Sequence, residues 1–541
     1  MILNFNMKHT LLLGGILLTL GAGAQTLDQA INLTRNEQFE KADKAFKVLL
    51  SMDAKNGAYY FYEGENFFAA ENMDSAKAAY QKGITVNAAY ALNYVGLGKI
   101  QWYSGDSKDA IDNFFKAKTI TKSKDATVLA KTAEAYVNGP TKDIKTALDL
   151  LNQAIGLEPN NVDICLDLGD AYLAENDGTN AATYYDKATS INPKSALGTL
   201  KLGILYGRAR NYDLSFQYFQ KANQIDSTFA PAYRQKAEML YSAGRYDDAI
   251  AQYKKYLQLN DALDARKRYG SFLFLAKKYA DAITEMNKVM VKDTNSPILY
   301  RIIAYSQYET GNYKDGLSNI NKFFVKAAKA NTKILPSDYA YQGKLLSKNG
   351  QDSLAIVKMN QAISNDPNGD VADLYSQIAN IYYKDANYPM AVQYARKRVQ
   401  QPKATVNDYN LLGRAAYSDK EYQVADSAFG VISKYMPDLP LGYLWRAYSN
   451  SAIDSDGKQG LAKPYYDMYI QKAAKDSLKN KDGLINAYNY EAYSYIVTKD
   501  YDKAKYYYSK TAELDPNDPK AKQGIKNIGL LKNPPKKEGV K

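Results

Sequence analysis

One histidine and one cysteine stand in 541 residues. The histidine, His9, falls in a stretch that reads as a removable leader, so the expected mature chain carries none. That excludes Ser-His-Asp and Cys-His catalysis, histidine zinc sites and imidazole proton shuttles. A single cysteine, Cys165, excludes an internal disulfide framework, so stability has to come from packing. Beyond the leader no run is apolar enough to cross a bilayer, which takes about 20 residues, so no integral membrane span is expected in the mature chain. Excess charge of one sign is scarce too. A formal charge of +12 and a pI near 9.0 are thinner than a nucleic-acid binder concentrates. No nucleic-acid partner is expected, and what remains is a general preference for acidic partners or anionic surfaces.

The leader is residues 1–24. Lys8 supplies its positive region, Leu11 to Leu20 its apolar run, and Ala22-Gly23-Ala24 a small-residue cleavage site before Gln25. The expectation is an exported protein, periplasmic or associated with a bacterial outer membrane. The alternative is an uncleaved anchor helix. Met7, directly before Lys8, is an alternative start. No cysteine near the cleavage site offers itself for lipidation.

What the chain has in abundance is tyrosine, 49 residues of it. From Cys165 to Pro193 the order is Leu168-Gly169, Tyr172, Ala181, Tyr185, Ala188 and Pro193. The same spacing returns with Tyr233, Ala237, Ala249, Tyr253 and Tyr256, and again with Tyr409, Leu412, Gly413, Ala425, Phe429 and Pro437. One small residue marks each unit: Ala42, Ala76, Ala110, Ala147, Ala181, Ser215, Ala249, Ala282, Gly316, Ala355, Ala391, Ala425, Ala462 and Ala504. The intervals run from 33 to 42 residues and are mostly 34. Small residues let paired antiparallel helices approach, aromatics fill the space beside them, and Pro159, Pro193, Pro367, Pro437 and Pro516 stop second helices. A lone helix pair cannot bury its apolar face, so such units stack.

This pattern resembles the tetratricopeptide repeat, of an exported bacterial type, with tyrosine usually in the tryptophan slot. The fold class expected is all-α: a right-handed α-solenoid of about fourteen helix-turn-helix repeats with a C-terminal capping helix. The expected organisation is an N-terminal array over 25–330 and a C-terminal array over 331–517 continuous with it, with inserts in 451–487. A capping helix over 518–532 and a flexible tail over 533–541 complete it. The run Tyr506-Tyr507-Tyr508 reads as packing, because residues about 100° apart on a helix cannot share a face. Tyr508 belongs to the core, Tyr507 to the seam and Tyr506 to the outside.

Motifs for chemistry are weak. Gly96-Leu97-Gly98-Lys99 is too short for a phosphate loop and sits within a helical pattern. Asp454-Ser455-Asp456-Gly457 resembles part of a calcium loop, but Ala452 and Lys463 stand where ligands belong. Cys165 occupies a buried slot and reads as structural. No catalytic residue, metal or cofactor is assigned.

In tetratricopeptide arrays the first helices line the binding groove. By that resemblance Arg234, Lys267 and Arg301 form a cationic ladder, with Tyr241, Phe274 and Tyr308 two turns on and Tyr383 and Tyr417 extending the row. The set suits an extended acidic peptide; the alternatives are incidental charge and packing between units. Separately, Lys322, Lys326, Lys329 and Lys333 recur at helical spacing. They form either a solvated face or a dock for an anionic surface. The expected function is a non-enzymatic protein-interaction scaffold. The alternatives are a binder of anionic glycan or lipid, peripherally associated with the envelope, and a carboxylate-based enzyme in the C-terminal inserts.

Overall fold

A computed structural model describes residues 26–366 and 369–532. The leader, His9 and the tail lie outside the described residues, as does Pro367. Among the described residues there are 29 α-helices, one short 3₁₀ turn and no strand. They fall into fourteen antiparallel pairs followed by one closing helix, Pro519–Lys532, as the sequence predicts. None is long and apolar enough to cross a membrane.

All fourteen small residues are buried, thirteen of them fully enclosed by side chains of their own and adjoining helices. Close approach is enforced rather than allowed. A Cβ at Gly169 would stand 2.3 Å from the Tyr185 ring, and one at Gly413 would stand 2.6 Å from the Phe429 ring. In both cases the ring comes from the paired second helix. Second helices end at Leu157, Ile191, Tyr435 and Leu514, each two residues before a proline. The residue preceding proline is pushed out of the helical region, so the helix stops there.

Turns inside the pairs share one device. In twelve of the fourteen, one residue takes a left-handed conformation, with φ from 55 to 83. Glycine fills it at Gly105, Gly244, Gly311 and Gly350; elsewhere Glu37, Glu71, Asn176, Arg210, Lys277, Ala386, Lys420 or Lys499 does. Of the two lengthened pairs, the fourth has no such residue in its turn and the thirteenth has two, Gly457 at φ 68 and Gly460 at φ 64. Part of the added length around the thirteenth is spent in helix: Pro440–Ile453 runs past Ser451, and Lys481–Val497, which opens the fourteenth pair, begins within the second insert.

The helices form two compact units, one ending at Thr294 and the other beginning at Asn295. The first holds eight helix pairs; the second holds six and the closing helix.

Candidate functional site

Within the first unit the opening helices of successive pairs place charged side chains on a shared inner face. Lys99, almost wholly buried, donates to Glu65 at 2.6 Å and lies 3.7 Å from Glu134. Its Nζ stands over the Phe68 ring at 4.2 Å. Tyr80 donates its hydroxyl proton to the same Glu65 oxygen at 2.6 Å, and Lys131 pairs with Glu134 at 2.5 Å. Further along, Lys201 pairs with Asp170 at 2.6 Å and Arg268 with Glu238 at 2.5 Å. The inner face is thus laced with cations and carboxylates of adjacent pairs that answer one another.

Burial resists ionisation of Glu134, but Lys131 and Lys99 outweigh it and hold the carboxyl well below its usual range. Asp167 behaves in the opposite way. Burial raises it strongly, and Glu134, Asp170 and Asp163 raise it further against Lys131. Lys99, Lys131, Glu134, Asp163 and Asp167 line one cavity of about 590 Å³ together with Arg35, Tyr62 and Phe68.

The first pair folds back to close that cavity. Arg35 reaches Asp163 at 2.6 Å. Glu37, in the first turn, accepts two bonds from Arg234, at 3.0 Å from Nε and 2.5 Å from the terminal nitrogen. Asn36 donates to Asp226 at 3.2 Å, and Gln38 to the Thr228 carbonyl at 3.4 Å. This closure joins residues nearly two hundred positions apart, and no local pattern in the sequence announces it.

The sequence-predicted cations are each already engaged. Arg234 holds Glu37. Lys267 pairs with Asp293 at 2.9 Å and with Asp264 at 3.0 Å. Arg301 belongs to the other unit, where it meets Asp338 at 2.8 Å through both carboxylate oxygens and lies over the Phe323 ring at 4.5 Å. Asp338 is fully buried and also caps its own helix through the Leu335 amide.

The predicted aromatics share a single local role. Tyr241, Phe274, Tyr308, Tyr383 and Tyr417 each pack against the aromatic five residues on, at centroid distances of 5.5 to 5.7 Å. Those partners, Tyr246, Tyr279, Tyr313, Tyr388 and Tyr422, open the second helices. Tyr241 also stacks on Phe272 at 4.7 Å, and Tyr417 meets Trp445 at 5.2 Å. The row brackets the turns inside the repeats and bridges neighbouring pairs.

Other singled-out residues fall into place. Gly96 to Lys99 lie inside the helix Leu92–Tyr103. Asp454 accepts from the amides of Gln459 and Leu461, so it ties its own loop. Cys165 is buried. The helix Tyr313–Lys329 carries Lys322, Lys326 and Lys329, and with Lys333 beyond its end none of the four joins an ion pair among the described residues. Lys326 donates to Asn295 at 3.4 Å and stands over the Tyr300 ring. Val325 beside them is 60% exposed.

Known proteins resemble this chain in the same terms. Two tetratricopeptide repeat models match residues 141–202 and 234–297. The C-terminal part of a TPR repeat-containing protein from Cytophaga hutchinsonii is 40% identical, over 48% of this chain and 99% of its own, with a TM-score of 0.40. TPR repeat-containing protein YpiA of Bacillus subtilis is 24% identical over 45% of this chain and 56% of its own length. Anaphase-promoting complex subunit cut9 of Schizosaccharomyces pombe is 22% identical over 71% and 57%. The chain therefore spans a little over half the length of these two curated relatives.

Proposed function

The chain belongs to the tetratricopeptide repeat proteins, whose arrays generally serve as platforms for protein–protein contact, and we infer that it is a non-enzymatic scaffold holding extended segments of a partner protein. The observation that carries this reading is the inner face of the first unit. Successive first helices there present Glu65, Lys99, Lys131 and Glu134 around a cavity of about 590 Å³, and Asp170 and Lys201 line a further groove of about 540 Å³. Side chains repeating from pair to pair match a ligand that itself repeats along its length, which an extended polypeptide does. The name of the cut9 relative, a complex subunit, agrees with such a role.

The leader-like residues 1–24 support placement of the scaffold in a bacterial envelope, periplasmic or against the outer membrane. Sequencing the N-terminus of the protein from its native cell tests this. A chain beginning near Gln25 is expected, and an intact leader would refute it.

A photo-crosslinking residue at Gln235, on a first helix lining a groove of the first unit, tests the scaffold itself. In the native cell it should capture a defined protein that the same residue at Lys221, exposed on a second helix, does not. Capture from neither site, or equally from both, would sink the reading.

A second reading is favoured by the lysine face alone. Four ammonium groups without carboxylates, beside exposed Val325, suit an anionic lipid or glycan surface. Such binding should weaken steeply with salt and with Lys322, Lys326, Lys329 and Lys333 changed to Gln.

A further inference from the structure

In the unit that begins at Asn295, the last two helix pairs, the closing helix and the first helix of the twelfth pair line a cavity of about 750 Å³. Its chemistry differs from that of the charged grooves in the first unit. Six tyrosines line it: Tyr417, Tyr448, Tyr466, Tyr490, Tyr493 and Tyr508. Between them stand the amides of Asn486, Asn489, Gln523 and Asn527, and the single charged side chain of the lining is Lys520. By contrast, one groove of the first unit is lined by Asp170, Lys201, Arg208 and Glu238.

We propose that this cavity binds a neutral oligosaccharide, a sugar chain without carboxylate, sulfate or phosphate groups. The argument starts from hydrogen-bond roles. A carboxylate only accepts and an ammonium only donates, whereas tyrosine hydroxyls and amides do both. A sugar hydroxyl also does both, so a wall of tyrosine and amide groups pairs with it in either direction. The lining retains that capacity. Asn486 gives one amide proton to the Tyr448 hydroxyl at 3.0 Å, and Gln523 gives one to Asn527 at 2.7 Å. Asn486 keeps its carbonyl, Gln523 its carbonyl and Asn527 its amide protons. Asn489 is spent on Thr511 and Asp518 and serves the wall rather than the ligand.

The second requirement is apolar. A pyranose ring presents a face of C–H groups, and tyrosine offers a rigid flat body with a polar tip for it to lie on. Tyr493 is 49% exposed at the rim, beside the left-handed turn at Gly457, where a Cβ would stand 3.3 Å from its ring. The thirteenth repeat's insert thus supports the exposed ring. The volume is in the range of small-ligand sites, about 300–1,000 Å³. This site belongs to the second unit alone, and its occupancy does not depend on the scaffold reading.

Trp445 makes the proposal measurable. It packs edge-on against two lining residues, Tyr417 at 5.2 Å and Tyr448 at 5.7 Å. The other tryptophan, Trp102, belongs to the first unit, and a Trp102→Phe background leaves Trp445 as the reporter. The full chain is screened against an array of neutral α- and β-linked gluco-, manno-, galacto- and xylo-oligosaccharides, and each hit is titrated by Trp445 fluorescence. At least one sugar should bind, with affinity unchanged between 50 mM and 500 mM NaCl. Tyr493→Ala and Asn486→Ala should each weaken it at least tenfold, with the circular dichroism spectrum unchanged. Lys520→Ala should leave it alone. Failure of every array member, or binding indifferent to Tyr493→Ala and Asn486→Ala, would overturn the proposal. So would binding of an uncharged Asn/Ser-rich decapeptide, sensitive to Tyr493→Ala, in place of any sugar.

Discussion

Glu37 and Arg234, 197 residues apart in sequence, share a two-pronged ion pair that fastens the first helix pair to the seventh. Both side chains are largely shielded, so losing one strands the other. Glu37→Gln should cost about 1–3 kcal/mol of the docking of the first pair. Hydrogen exchange should then quicken in Leu27–Arg35 and Phe39–Met52 with no change in the eighth pair. The charge exchange Glu37→Arg with Arg234→Glu should recover part of the loss. Unaltered exchange in Glu37→Gln would mean that the clasp contributes nothing.

Ala386 sits in the turn before the helix Tyr388–Val399 at φ 55. An alanine Cβ is crowded in that conformation and glycine is not. Ala386→Gly should therefore raise stability by about 0.5–1 kcal/mol despite its looser unfolded chain. Urea denaturation followed by circular dichroism decides it, and a fall in the midpoint would refute the strain.

Lys99→Met should destabilise by about 3 kcal/mol at neutral pH, because it leaves Glu65 without its cation and Glu134 with one instead of two. Glu134 is held below its usual range, so its share of stability is present above that range and lost as pH falls through it. The gap between wild type and variant should accordingly narrow in acid. A penalty that does not vary with pH would point to lost packing alone.

Glu63 is raised to about 7, first by burial and then by Asp43, against the opposing pull of Lys47. The folded chain therefore holds this proton where the unfolded chain has released it, and stability falls as pH rises from 4.5 to about 7. Glu63→Gln should be more stable than wild type by about 1–2 kcal/mol at pH 8 and nearly equal to it at pH 4.5. Thermal melts at the two pH values measure the difference.

Much of this architecture is legible because its signals are local. The spacing of Ala181, Ala249 and Ala425 reports buried contacts between helices a few residues apart in the chain, and every marker residue lies where the period puts it. The three adjacent tyrosines also follow helical geometry. Tyr508 is buried, Tyr507 stacks on Tyr495 at 5.7 Å, and Tyr506 is 56% exposed. Charge is harder to read. The sequence shows Arg234, Lys267 and Arg301 as cations but hides their counterions, because Glu37 arrives from a distant pair and Asp338 from the following one. Only folding reveals which cations are engaged, and it engages the predicted ladder while leaving the lysine face without carboxylates. The tyrosine-lined cavity escaped notice for a similar reason. Its walls bring Tyr417, which the sequence assigns to another row, together with Tyr448, Asn486 and Gln523, which no local pattern marks.

The paired charges on the inner face of the first unit have a consequence for how a guest is admitted. Where an ammonium already has a carboxylate, as Lys99, Lys131 and Lys201 do, an incoming acid gains that lysine only by evicting its occupant, so entry is an exchange rather than an addition. Such swaps nearly cancel in Coulomb energy and release few counterions. Recognition there should be decided by how well a guest's contour and spacing match the repeats, and ionic strength should tune it only slightly.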